Sequence, residues 1–204
     1  MAHLKRLKAP KSWPIKQRKG IKFIARPLPG PHKISSSITL NIALKDILNY
    51  AKTTKEVKLI LNQGKILVDG EIRKSHKFPI GLMDVITIND TAENFIVTYD
   101  DKGKITLSKI NKDTAENKIA KIIGKKILKQ KKIQLNLYNG NNLLVDKDTY
   151  KIGDSLIINK KTIKKHLKLE KNSIIYLTGG KHKGKTGKLE EIKIQPYIGD
   201  NIVV

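Results

Sequence analysis

The stretch Gly179-Gly180-Lys181-His182-Lys183-Gly184-Lys185-Thr186 has the residue types and spacing that cradle nucleotide phosphates: a glycine, four residues, then Gly-Lys-Thr. That chemistry requires the loop to open a helix, because helix N-terminal amides hold the phosphates. Gly187 follows at once, and Leu189 is out of phase for a helix of any length before Pro196. An NTPase is therefore disfavoured. As a loop between two strands, the same residues carry Lys181, Lys183 and Lys185 outward with His182 among them. No other constellation suggests bond chemistry. His3, His32, His76, His166 and His182 show no paired spacing, and there is no cysteine to complete a metal site. Asp69, Asp84 and Glu56 fall where turns and caps use carboxylates, so no acid/base pair stands out. The expectation is a protein that is not an enzyme and has no catalytic residues, no metal and no cofactor.

The charge points elsewhere. Lys and Arg number 42 against 18 Asp and Glu in 204 residues, a formal net charge of +24 at pH 7. Such an excess repels itself in a compact chain unless a polyanion neutralises it, so the natural partner is nucleic acid or an anionic membrane surface. Apolar residues make up 39% and aromatics 5%, which suits several small charged units better than one large core. No apolar run has the length of a membrane span, and a soluble, intracellular protein is expected.

The elements that must position these charges can be traced along the chain. Residues 1–44 contain no acid, and Pro10, Pro14, Pro27, Pro29 and Pro31 disfavour helix, so this basic segment is expected to run extended. Its Trp13, Ile15, Ile21, Phe23 and Ile24 suggest an arm anchored on a surface. Ile38, Ile42, Leu44, Ile47 and Leu48 predict an amphipathic helix of two to three turns. Thr53-Thr54-Lys55-Glu56 is a capping box opening a second helix, which Gly64 ends. Asp69-Gly70 between Ile66-Leu67-Val68 and Glu71-Ile72-Arg73 predicts a hairpin, and Val85 to Ile88 a strand. Strands are then expected at 95–99, 104–110, 134–138, 143–145, 155–158, 173–177 and 188–194, with another beginning at Ile202 and a short helix from Asp113. Seven lysines between 118 and 132 alternate with isoleucines and lean towards contact with a polyanion backbone.

Three resemblances fall on these elements. The Gly179–Thr186 loop with its flanking strands resembles the KOW motif of ribosomal proteins and transcription elongation factors, which implies a basic loop presented to RNA or protein. The segment from about Leu40 to Ile88 resembles the S-four RNA-binding domain, on Asn41-Ile42-Ala43-Leu44, Thr54-Lys55-Glu56-Val57, Gln63 to Gly70 and Gly81 to Ile86. That implies a second helix and hairpin set against RNA. The arginines common near the starts of those two helices are replaced at the nearest positions by Leu40 and Lys55.

The arm, on His3-Leu4-Lys5-Arg6-Leu7, Ala9-Pro10-Lys11-Ser12-Trp13, Arg26-Pro27 and Pro29-Gly30-Pro31-His32-Lys33, is similar to the e-type S-four protein family of the archaeal and eukaryotic small ribosomal subunit. The likeness continues in order through Gln134-Leu135-Asn136-Leu137 and the KOW loop, over nearly the whole chain. Members of that family usually continue well beyond these last strands, so the C-terminal unit is expected to be incomplete.

The expected fold is α+β: an extended basic N-terminal arm at 1–36, a small helix-helix-hairpin S-four-like domain at 37–93, a central antiparallel β domain at 94–171, and a C-terminal SH3-like KOW barrel at 172–204. The expected function is that of a structural constituent of the cytoplasmic small ribosomal subunit. It would bind folded ribosomal RNA beside neighbouring ribosomal proteins, with no membrane and no small-molecule substrate. The alternatives are a KOW-containing transcription or RNA-processing factor, or the disfavoured P-loop NTPase. RNA contact is expected from Lys5, Arg6, Lys8, Lys11, Trp13, Arg18, Lys19, Arg26, His32 and Lys33 of the arm, which would order on binding, with Trp13 or His32 stacking on a base or ribose. Lys55, Lys58, Lys65, Arg73 and Lys74 would form the S-four face. Lys125, Lys126 and Lys129, and Lys181, His182, Lys183 and Lys185, complete the expected contacts.

Overall fold

The structure is a computed structural model and describes residues 3–129, 132–159, 162–193 and 202–203. In the arm, strands β1 (Leu4–Lys5) and β2 (Phe23–Ile24) pair antiparallel, Leu4 opposite Ile24 and Lys5 opposite Phe23. Strand β3 (Ser37–Thr39) pairs with β6 (Pro79–Gly81), and between them lie helices α1 (Leu40–Ile42) and α2 (Thr54–Asn62) and the hairpin β4 (Ile66–Val68) and β5 (Glu71–Ile72). Strands β7 (Val85–Ile88), β8 (Glu93–Tyr99) and β9 (Ile105–Ile110) complete an antiparallel sheet ordered β5-β4-β7-β8-β9.

Local chemistry explains most of these elements. The Glu56 amide donates to the Thr53 hydroxyl at 3.3 Å and the Thr53 amide to the Glu56 carboxylate at 3.4 Å, so the expected capping box is formed. Asp69 and Gly70 both take positive φ, at 53° and 80°, as a tight two-residue hairpin turn demands. The first helix differs from expectation. Only one α-helical turn forms, capped by Thr39, and it runs into a π-helical turn over Ala43–Ile47 in which the Leu48 amide donates to the Ala43 carbonyl. Ile38 belongs to β3 instead. Residues 40–44 are all buried, so packing on every side overrides the amphipathic pattern.

The border expected at residue 93 falls inside the first sheet. Phe95, Val97 and Tyr99 of β8 alternate inward and, with Ile105 of β9, share one core with Leu40, Ile42, Leu44, Val57, Leu61 and Ile86. After helix α3 (Lys112–Glu116) come β10 (Lys118–Ile127), β11 (Ile133–Leu137), β12 (Asn142–Val145), β13 (Ser155–Asn159) and β14 (Thr162–Leu167), in a second antiparallel sheet ordered β12-β11-β10-β13-β14. It has its own core of Ala120, Ile122, Leu135, Leu137, Leu143, Leu156 and Ile158. Strand β14 carries no alternation that sequence reading could detect, and its Lys164 and Lys165 suit an exposed sheet edge. Two ribbons end the described chain: β15 (Ile174–Tyr176) with β16 (Thr186–Lys188), and β17 (Ile192–Lys193) with β18 (Ile202–Val203). Closure of the expected last barrel depends on residues 194–201 and 204, which lie outside the described residues.

Candidate nucleic-acid interface

The Gly179–Lys185 loop leads directly into β16 and opens no helix, so the helix N-terminus that nucleotide phosphates need is missing there. The loop docks on the turn between β8 and β9. Gly184 has φ +93°, and a Cβ there would lie 2.8 Å from the Asp100 carbonyl oxygen. The Tyr99 amide donates to the Tyr176 hydroxyl at 3.0 Å, and Lys183 Nζ sits 3.7 Å from the centroid of the Tyr99 ring. Burial pushes the Lys183 ammonium below its usual pKa. Burial, then the neighbouring Tyr138 and Tyr176, pushes the Tyr99 phenol up to about 12. Gly184→Ala combines a strained backbone with a collision, and is expected to cost about 1–3 kcal/mol. Amide exchange at Tyr99, read by NMR or mass spectrometry, should accelerate as the Tyr176 bond opens.

Beside this dock an open cleft of about 350 Å³ is lined by Lys11 and Ser12 of the arm, Asp101, Lys102 and Gly103 of the β8–β9 turn, and Gly180, Lys181 and Lys183 of the loop. The arm is fixed to the cleft wall, where the Ile105 amide donates to the Ser12 carbonyl at 2.8 Å. Four lysines from three distant segments thus surround one carboxylate, which is attractive to a phosphate-bearing chain.

A second cationic face lies on α2 and the loop after β5. Lys55 and Lys58 are exposed one turn apart, and burial, followed by the charges of Lys58 and Lys77, lowers the His76 pKa. Lys74 is exposed nearby in sequence. Lys65 is paired with Asp90 at 2.6 Å, while Arg73 bonds Glu71 and lies 4.5 Å over the Phe78 ring. Lys125 is bonded to Asp148, whereas Lys126 and Lys129 are exposed.

In the arm Lys5, Lys8, Lys19, Arg26 and Lys33 are exposed. Four other arm residues expected at RNA are placed differently. Trp13 is 1% exposed and belongs to the main core, so its ring is not open to a base. His32 is buried, its Nε2 2.8 Å from Asp84 Oδ2, because the arm crosses Gly81 so closely that a Cβ there would lie 2.4 Å from the imidazole. The Arg6 guanidinium donates to the Gln17 carbonyl at 2.8 Å, and that of Arg18 to the Ala9 and Pro10 carbonyls at 3.0 and 2.9 Å. These arginines tie the arm to itself. The arm is packed on the core beneath the first sheet in this structure.

Sequence reading missed the group that joins arm and domains. Lys118 Nζ, at the start of β10, lies 2.6 Å from Asp84 Oδ1 and 2.5 Å from Asp69 Oδ2. Asp84 also accepts the Gly81 amide at 2.9 Å, and Asp69 the Val85 amide at 3.0 Å. Its only sequence signal is a lysine in a lysine-rich run, indistinguishable there from its neighbours.

Comparison with known proteins agrees with this architecture. Residues 2–35 match the RS4NT (NUC023) domain, residues 40–86 the S4 domain, and residues 91–165 the ribosomal family S4e. The chain is 42% identical to small ribosomal subunit protein eS4 of Methanococcus aeolicus, over 99% of its own length and 86% of that protein. It is 43% identical to the protein of the same name from Methanocaldococcus jannaschii, over 94% of its length and 81% of that protein. The crystal structure of 30S ribosomal protein S4e from Thermoplasma acidophilum superposes with a TM-score of 0.70 at 33% identity, covering 82% of this chain and 86% of that one. An RS4NT-type arm, an S4 domain and an S4e-type β domain in unbroken order place this chain in the eS4 family of small ribosomal subunit proteins.

Proposed function

We propose that this chain is a structural constituent of the cytoplasmic small ribosomal subunit, which binds folded ribosomal RNA without making or breaking a bond. The carrying observation is the cleft where Lys11, Lys102, Lys181 and Lys183 converge from arm, turn and loop. Lysines placed there replace counterions condensed on RNA phosphates, a term that supplies affinity without reading sequence. Selectivity then comes from shape: a packed arm, the Lys55–Lys58 face of the S4 domain and the KOW-like loop present cations at fixed separations to a folded RNA. The names of the relatives support this reading, as does the +24 charge. Neighbouring ribosomal proteins are the other expected contacts.

Fluorescence anisotropy with small-subunit ribosomal RNA tests the reading. Affinity is expected to fall steeply between about 50 and 200 mM salt, and a triple Lys11→Ala, Lys102→Ala, Lys181→Ala variant should flatten the log–log slope by roughly 2–3 units, since each lost phosphate contact removes slightly less than one. An affinity indifferent to salt would overturn the proposal.

A further inference from the structure

We propose that Phe23, backed by His3, is a stacking platform for an unpaired RNA base on the outer face of the arm ribbon; this rests on the RNA-binding function above. The pleat of the ribbon sets the two faces. Leu4 and Ile24, opposite one another, pack against the main core, so their neighbours Lys5 and Phe23, also opposite one another, face away from it. Phe23 is 45% exposed. The other two phenylalanines are not open in this way: Phe95 is buried, and Phe78 is half-buried with the Arg73 guanidinium over its ring.

The surroundings favour a nucleotide over a protein side chain. The His3 ring lies 5.1 Å from that of Phe23, tilted by 44°, and the exposed Lys22 Nζ lies over the Phe23 ring, 5.4 Å from its centroid, where an incoming base would displace it. Aromatic faces with flanking cations suit a ligand that carries a flat apolar surface and an anion a short distance apart, which is the composition of a nucleotide. The cross-strand position of Lys5 adds a second cation on the same face. No acid occurs in residues 1–44 to neutralise this charge locally.

The ribbon is also preorganised. The Arg6 amide donates to the Lys22 carbonyl at 3.0 Å, and the Arg6 and Arg18 guanidiniums hold three further arm carbonyls. Presenting an exposed ring on a braced ribbon lowers the ordering cost of binding.

The test uses the whole 204-residue chain with a single-stranded oligoribonucleotide carrying 2-aminopurine, and small-subunit ribosomal RNA as reference. Phe23→Ala and Phe23→Leu are expected to weaken oligonucleotide binding by roughly 5- to 160-fold, the range for one lost base stack. The salt slope should be unchanged. Phe23→Trp should retain affinity, and its new indole emission should change on RNA addition while buried Trp13 gives a constant background. Leucine keeps the apolar bulk but has no π face, so wild-type affinity in Phe23→Leu overturns stacking. So does a loss in Phe23→Ala of protein neighbours with RNA affinity intact, which would assign the ring to an acidic protein partner. Failure of the wild-type chain to bind ribosomal RNA would instead sink the functional reading itself, whereas salt-dependent wild-type binding with an inert Phe23→Ala sinks this inference alone.

Discussion

Lys118→Met is expected to destabilise the folded chain by about 3–5 kcal/mol at neutral pH, the cost of leaving buried charge without its partner. Methionine keeps most of the lysine stem but supplies no cation to Asp84, which is 2% exposed, or to Asp69. Burial alone would raise the Asp84 pKa, but the His32 hydrogen bond, the charges of Lys118 and His32, and the Gly81 amide outweigh it and hold the carboxyl below its ordinary value. Its contribution is therefore present above the ordinary carboxylate pKa and is lost as pH falls through the lowered one. Burial likewise opposes the charge of Lys118, yet Asp84 and Asp69 raise its pKa, so its contribution is complete below the ordinary lysine value and is lost only as pH rises through the raised one.

Asp69 goes the other way. Burial and then the charge of Asp84 raise its pKa despite Lys118, which makes it the first of the two carboxylates to take a proton in acid. In the variant both carboxylates lose the Lys118 ammonium, Asp84 keeping only His32, and protons can substitute for the lost cation. The stability gap between wild type and Lys118→Met should thus be widest near neutrality and narrow towards about pH 4. Urea denaturation at the two pH values checks this; a gap that does not change with pH would assign the effect to packing of the stem.

Trp13→Ala is the other large effect. Removing an indole that is 1% exposed should cost about 3–5 kcal/mol, a large part of the about 5–15 kcal/mol that holds a domain folded. Among the described residues the indole N–H has no hydrogen-bond partner, so Trp13→Phe loses mainly size and is expected to cost clearly less. Because Trp13 is the only tryptophan, its emission in the wild-type chain reports docking of the arm, and circular dichroism follows the two variants. Proteolysis within residues 3–33 should accelerate in Trp13→Ala. Equal cleavage rates in all three proteins would mean that the indole does not anchor the arm.

The elements legible in the sequence were those whose cause is local. The Thr53–Glu56 capping box and the Asp69-Gly70 turn each depend on residues within a few positions of one another, and both form as read. The π-helical continuation of α1, the edge strand β14 and the pairing of β8 and β9 with the first sheet depend on neighbours far along the chain, and local spacing did not announce them. The site shows the same division. The basic loop was recognised from its own glycines and lysines, but its seat on Tyr99 rests on a hydrogen bond across 77 residues that no pattern in either segment announces.

By itself the sequence determined that this chain carries a large positive charge, contains no cysteine and mixes short helices with many short strands, since composition and short-range spacing do not depend on how the chain is folded. Tertiary structure decided which of the charged and aromatic groups remain available to a partner. His32 and Lys118 meet Asp84 across 52 and 34 residues and are drawn inside. Trp13 fills a core and Phe23 stays in the open. The reason is that availability is a property of what is packed against a side chain, and two aromatic residues in the same basic stretch acquire opposite roles once distant strands close over one of them.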